Sequence, residues 1–352
     1  MTFLREKTDI IALENVLVAR VNVGVVGLGV QGLAHVEALS GLHDARIVAV
    51  ADLDFERAKK VAREYGIPRA YDSAHKLAQD SEVEAVIVAT PDYAHLEPVM
   101  TALREGKHVL VEKPMATCLE DAEKMAEEAK KRGVLLMVNF ENRFNPPFAY
   151  VKELLSRGEL GVPLHAYIRL SDTIYVPRKM LSWASKTSVA FFLMSHTVDL
   201  ARWYFDGEVR EVYSVSVSRI LKDIGTPDAY AAILKFRGGF ALLESSWILP
   251  ETEPSIFDFK LELVCSNGAV YVDTQKESLT LCTAKAHTYP HLAKLYRLHG
   301  TPTGFLKEAD RHFIECVEGR AEPIIKAEDG VANVRVLEAI VKSCKEGRPI
   351  RL

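Results

Sequence analysis

Three closely spaced glycines and a lysine mark where chemistry is written in this chain. Gly27-Leu28-Gly29-Val30-Gln31-Gly32 is a G-x-G-x-x-G run. Between a strand and a helix, such a run binds a dinucleotide. Gly27 permits the tight turn, Gly29 lets the pyrophosphate approach the backbone, and Gly32 lets helix pack on strand. Val30 and Gln31 open the helix, whose free N–H groups and partial positive charge face the phosphates. Asp52 follows roughly 20 residues later, where a carboxylate accepts hydrogen bonds from the adenosine ribose and repels a 2′-phosphate. Leu53 comes next, rather than an Arg or Ser that would hold that phosphate. The expected cofactor is NAD, with NADP disfavoured.

The lysine is Lys113, in Glu112-Lys113-Pro114, directly after the apolar run His108–Val111. Beside a nicotinamide, an amine at a strand's carboxyl end is desolvated and close to a cationic ring. Both effects lower its pKa into the range useful for proton transfer. Without the glycine run, the same lysine reads as a surface charge. Thr90 and Pro91 end another apolar run and should line the cofactor. His95 is either a helix-start residue or a further cofactor contact.

These residues need strands and helices in alternation. Val21–Val26, Arg46–Ala51, Ala85–Ala89, His108–Val111 and Val134–Val138 read as strands. Helical patterns at Val30–Leu39, Phe55–Tyr65, Pro91–Leu103 and Leu119–Arg132 separate them. That rhythm is a doubly wound parallel sheet. After Pro146 it changes to a helix, Phe148–Leu155, and then to long strands at Leu164–Leu170, Val209–Arg219, Tyr230–Phe236, Phe240–Ile248, Phe257–Cys265 and Val270–Asp273. Arg237-Gly238-Gly239 and Ser266-Asn267-Gly268 read as hairpin turns, because Gly and Asn accept positive φ. The fold class is α/β: a Rossmann domain over residues 1–142, then an α/β domain over 143–352 with a large, mostly antiparallel open sheet. Residues 1–20 read as an extra helix or a strap.

The motifs together resemble the Gfo/Idh/MocA oxidoreductases. The resemblance rests on Val26–Gly32, on Ala89-Thr90-Pro91 with His95, and on Gly106–Pro114. It continues through Asn142-Arg143-Phe144-Asn145-Pro146 and weakly to Ala327-Glu328-Asp329-Gly330. It implies an NAD-dependent dehydrogenase of a sugar, polyol or cyclitol, with Lys113 as catalytic lysine and His196 as active-site histidine. Which of the two moves the proton stays open. One departure is plain: the family's Asp four residues before that histidine is here Phe192. An acidic partner is missing from its usual place, and the site becomes more apolar. Asp199 could orient His196 or pack on a helix. Arg143 could bind substrate or tie the domains. Tyr175, Arg178 and Trp183, with Tyr167, are further substrate candidates or core residues. Two other readings remain: a glycoside hydrolase or lyase using transient NAD redox, and a sensor without chemistry.

The bulk numbers agree. The chain has 352 residues, 48% apolar and 26% charged, enough for two cores. A net charge of −4 without a basic block argues against nucleic acid or an anionic membrane. Five cysteines without C-x-x-C spacing argue against disulfides and thiolate metal sites, and fit the cytoplasm. His287 and His291 flank Pro290 without an acid nearby, so no metal is expected. Tyr213, Val215 and Val217 alternate with Ser214, Ser216 and Ser218. The expectation is that the apolar set meets the chain's own helices. The small, uncharged set would then meet a second copy, in a homodimer or homotetramer.

Overall fold

The structure is a computed structural model, and it describes residues 20–276, 279–283 and 285–352. The expected N-terminal helix or strap falls almost wholly outside the described residues. Six parallel strands form the first sheet: β1 (Val21–Val26), β2 (Ala45–Ala51), β3 (Arg69–Tyr71), β4 (Ala85–Val88), β5 (His108–Glu112) and β6 (Leu136–Asn139). Their order is β3-β2-β1-β4-β5-β6. Helices cover both faces, so these strands are continuous apolar runs without alternation. The helices are α1 (Val30–Ser40), α2 (Phe55–Tyr65), α3 (Ala74–Ala78), α4 (Leu96–Arg104) and α5 (Leu119–Arg132). The strand order reverses between β1 and β4, which opens a crevice beyond their carboxyl ends. β3 and α3 have three and five residues. They are too short to show a period, and sequence reading passes over them.

Glycine decides how closely α1 sits on β1. Gly27 has φ +86°, and a Cβ there would lie 2.7 Å from the Ala89 carbonyl oxygen. A Cβ on Gly32 would lie 1.8 Å from the Gly27 oxygen.

After β6 come α6 (Pro146–Ser156), β7 (Pro163–Asp172), α7 (Val189–Phe192), α8 (Met194–Phe205), β8 (Glu211–Val217), β9 (Ala229–Lys235), β10 (Phe240–Ser246), β11 (Phe257–Cys265), β12 (Ala269–Asp273), α9 (Phe305–Val317) and α10 (Ala327–Glu346). A seven-stranded sheet runs β12-β11-β7-β10-β9-β8 and ends with the strand Ile350–Arg351. Only β7 and β10 pair in parallel there. Two hydrophobic cores result, one per sheet. The 142/143 division separates the sheets but not the cores. Phe313 and Ile314 of α9, Ile325, and Val334 of α10 are buried in the first core.

Two expectations are corrected. The hairpins at 237–239 and 266–268 form, yet none of their residues has positive φ. Gly239 is required by proximity instead: a Cβ would lie 2.3 Å from the Leu164 oxygen and 2.7 Å from the Phe205 ring. The apolar set on β8 also faces away from the chain's own helices, contrary to the expectation. Ser214 is buried under α10, with its Oγ donating to the Ile340 carbonyl at 2.5 Å. Tyr213, Val215 and Val217 point outward, 42, 51 and 42% exposed. Val212, on the same face as Ser214, is buried as well, whereas Ser216 and Ser218 are exposed.

The glycine geometry generates a test. Gly32→Ala must push α1 off β1, at a cost of about 1–3 kcal/mol for overpacking. Thermal unfolding should show a lowered Tm, and NAD titration should show weakened binding, since the helix N-terminus moves with the helix.

Candidate active site

The crevice at the strand-order reversal widens into one cleft of about 1270 Å³ lined by both domains. Gly27, Gly29, Val30 and Gln31 form its phosphate end. An added Cβ on Gly29 meets nothing within 4 Å, so the backbone there is open to a ligand. Gly32 lies behind, against β1. Asp52, directly after β2, also lines the cleft. Its carboxylate accepts from the Leu28 and Asp54 backbone N–H groups, both at 2.8 Å, and the Arg57 guanidinium stands 3.4 Å away. Backbone donors fix that carboxylate at the cleft wall. Thr90 and Pro91 line the opposite wall. The open glycine turn, the helix N-terminus and the fixed acid together fit a dinucleotide.

His95 does not face the cleft. It is buried, with its ring nitrogens 2.9 Å from the carbonyls of Pro114 and Thr90. It therefore joins the two wall segments.

Beneath the phosphate end lies a buried charged group. His35 on α1 places Nε2 3.0 Å from Glu112 and Nδ1 2.8 Å from Asp310 on α9. Burial alone would lower the His35 pKa, but the two carboxylates push it up to about 10. The imidazolium in turn holds Glu112 well below the usual carboxylate range, against the effect of its own burial. Asn139 and Gln31 also donate to Glu112, at 2.8 and 3.3 Å. Glu112 thus braces the strand end that carries Lys113.

Lys113 reaches across the domain boundary. Its Nζ donates to the Phe192 carbonyl at 3.0 Å and lies 4.3 Å from the Phe192 ring centroid. Burial lowers its pKa, opposed by the charges of Glu112, Asp92 and Glu141. His196, on the first turn of α8, lines the same cleft. Burial, and then the Lys113 and Lys294 charges, push its pKa well below the ordinary histidine value, so the ring is neutral at pH 7. Asn142 Nδ2 donates to His196 Nδ1 at 3.0 Å, and Asn142 Oδ1 accepts from Asn145 Nδ2. This amide orientation leaves the ring proton on Nε2.

Both sheets carry family signatures. Residues 21–140 match the oxidoreductase family with an NAD-binding Rossmann fold, and residues 148–271 match the GFO/IDH/MocA C-terminal domain. The chain is a Gfo/Idh/MocA oxidoreductase. Among relatives of this oxidoreductase, a myo-inositol 2-dehydrogenase of Thermotoga maritima is 29% identical over 336 residues, covering 94% of this chain and 98% of its own. A scyllo-inositol 2-dehydrogenase (NAD(+)) of Bacillus subtilis is 28% identical, covering 95% and 96%. A probable dehydrogenase of Thermotoga maritima, known as a crystal structure, superposes with a TM-score of 0.79 at 27% identity, over 94% of this chain and 98% of its own. The cofactor of the oxidoreductase is NAD.

The remaining candidates of this oxidoreductase separate cleanly. Trp183 lines the cleft, edge-on to Tyr93 and Phe192. Arg143 and Asp199 do not line it. They form a buried pair at 2.6 and 3.0 Å, and Arg143 also donates to the Ile324 carbonyl, so the pair ties domains. Asp199 does not orient His196; Asn142 does. Arg178 is exposed and bidentate to Asp223, and Tyr175 is exposed outside the cleft. Tyr167 donates to Glu244 on the sheet. Sequence reading passed over Asp172 and Lys294, which line the cleft from segments without a motif. Asn142 lies within Asn142–Pro146, where no sequence signal sets it apart from Arg143. No cluster of metal-ligating side chains occurs among the described residues.

Replacing His35 by Leu would leave Glu112 and Asp310 buried without their shared cation. The expected loss is about 3–5 kcal/mol, read by denaturant unfolding.

Proposed function

We propose that this oxidoreductase transfers a hydride between NAD and a hydroxyl or carbonyl carbon of a sugar, polyol or cyclitol. The observation that carries the reading is a lysine of lowered pKa beside a neutral histidine, at the end of the dinucleotide groove. The inositol dehydrogenases among the relatives support the cyclitol class. When bound, NAD supplies the hydride acceptor at the nicotinamide C4. The chain supplies the rest. His196 donates from Nε2 to the substrate oxygen and holds it. The neutral amine of Lys113 takes the hydroxyl proton as the carbonyl forms. Phe192 and Trp183 exclude water and present ring faces to the substrate's C–H surface. An NAD-reduction screen over polyols, sugars and cyclitols tests the reading. Net NADH formation also separates a dehydrogenase from a hydrolase that only borrows the hydride. No compound giving NADH would overturn it.

The acid–base role has its own test. Lys113→Ala should lower kcat by about 10²–10⁴-fold while NAD binding persists, because backbone at Gly29 and Val30 holds the pyrophosphate. Near-wild-type turnover removes the lysine from the mechanism. Alcohol oxidation should rise with pH as Lys113 loses its proton, below the range of an ordinary lysine. Phe192→Asp adds a negative charge beside that amine, so the same limb should move to higher pH.

Cofactor choice follows from Asp52. Tryptophan fluorescence titration should show tighter binding of NAD(H) than of NADP(H). The reverse order would refute the role given to that carboxylate.

We propose further that the exposed sheet face pairs two copies in a homodimer or homotetramer. Tyr213, Ile233, Leu242 and Tyr167 stand in register across β8, β9, β10 and β7. Such an apolar row is costly in water. Light scattering at micromolar concentration should give at least a dimer, and a monomer would end this idea. No helix among the described residues is long and apolar enough to cross a membrane. The five cysteines are free, which supports a cytoplasmic setting.

A further inference from the structure

An arm of the second domain crosses to the glycine turn. It leaves the sheet beside β11, where the Tyr289 N–H donates to the Pro254 carbonyl at 2.8 Å and the His291 ring stacks on Phe257 at 4.0 Å. Its next anchor is the start of α9, whose Phe305 and Leu306 N–H groups donate to the Ala293 and Lys294 carbonyls at 2.9 and 3.1 Å. The approach is close. At Gly304, with φ +130°, a Cβ would lie 2.4 Å from the Lys294 carbonyl oxygen. A third anchor is Arg297, paired with Glu37 of α1 at 2.8 Å. The arm is thereby fixed against the helix that forms the phosphate end of the cleft.

Lys294 reaches that end. Its Nζ donates to Gln31 Oε1 at 3.2 Å and to Glu141 Oε1 at 2.7 Å. Gln31 is the second residue of α1, and its amide nitrogen donates to Glu112. The Lys294 side chain lines the cleft and is about one-third exposed. An ammonium has three N–H bonds. Two are answered by these oxygens, and the third has no acceptor among the described residues.

A pyrophosphate brings two negative charges into a cleft whose wall already holds Asp52, Glu112 and Glu141. A helix N-terminus supplies only about half a charge against them. Among the described residues, the arginine and lysines lining the cleft are Arg57, Lys113 and Lys294. Arg57 stands beside Asp52 and Asp54, and Lys113 lies over the Phe192 ring. Lys294 is the one hydrogen-bonded to the first turn of α1.

We propose that Lys294 is a phosphate ligand of the cofactor. The second domain delivers a cation to the N-terminus of α1, so that both domains hold bound NAD. The inference concerns cofactor binding and does not depend on which substrate is oxidised.

The competing role is structural: Lys294 would do no more than neutralise the buried Glu141. Removing both charges together separates the two, since Lys294→Met with Glu141→Gln leaves neither partner charged. Calorimetric titration with NADH, ADP-ribose and adenosine reads the result. ADP-ribose keeps the pyrophosphate without the nicotinamide, and adenosine keeps neither. Loss of a charge-assisted hydrogen bond should weaken NADH and ADP-ribose by about tenfold or more, with adenosine unchanged. The affinity for ADP-ribose should also become less sensitive to salt. Glu141→Gln alone keeps the amine and removes the acid that competes for it, so ADP-ribose should bind at least as tightly as to the wild type. An ADP-ribose affinity unmoved in the double variant would overturn the proposal. So would a loss confined to NADH, which puts the amine at the nicotinamide, or an equal loss for adenosine, which means a distorted groove. If the double variant does not fold, Lys294→Gln is titrated with the same three ligands and judged by the same outcomes.

Discussion

Much of this structure depends on where one carboxylate is held. Glu112 is the last residue of β5, and its buried oxygens meet His35 and Gln31 from α1 and Asn139 from β6. His35 passes the constraint on to Asp310 of α9, which comes back from the far end of the chain. A buried ion group is weak evidence for stability, because desolvation offsets much of its Coulomb energy. It is strong evidence for geometry, since each member has few alternatives. The helix that offers its N-terminus to phosphate and the strand end that carries Lys113 are thereby fixed to one centre.

The second constraint joins the domains. Arg143, just after β6, is buried against Asp199 of α8 and also donates to the Ile324 carbonyl. Asp329, at the start of α10, stands 3.4 Å from the same guanidinium. A planar fork with several donors suits this job better than an amine would. The pair sets α8 against the first domain, and so sets where His196 lies relative to Lys113. Gly330, one residue on, lets α10 approach closely: a Cβ would lie 2.6 Å from Met115 and Val138.

Desolvation then converts position into chemistry. Lys113, His196 and Asp172 are all shifted first by burial and only second by neighbouring charges. In each case burial disfavours the charged form. Phe192 contributes to this directly, because an aromatic ring occupies the place of a hydrated acid. An apolar substitution at a catalytic site has therefore not emptied it of proton chemistry.

Local sequence determined the parts whose physics is local. A G-x-G-x-x-G turn needs its glycines whatever surrounds it, so Gly27, Gly29 and Gly32 were legible, as were Asp52 and the buried strands around them. The motif around Lys113 was legible for the same reason. Tertiary structure alone decided the rest. The face of β8 that meets α10 depends on where that helix lies, so a period-two pattern named two faces but turned Tyr213, Val215 and Val217 inward, where the structure exposes them. Arg143 and Asp199 were visible as charges, but their pairing joins residues 56 apart in sequence. Asp172 had no motif at all. Its place on the cleft wall and the raised pKa that burial gives it belong to the folded chain, not to any stretch of it.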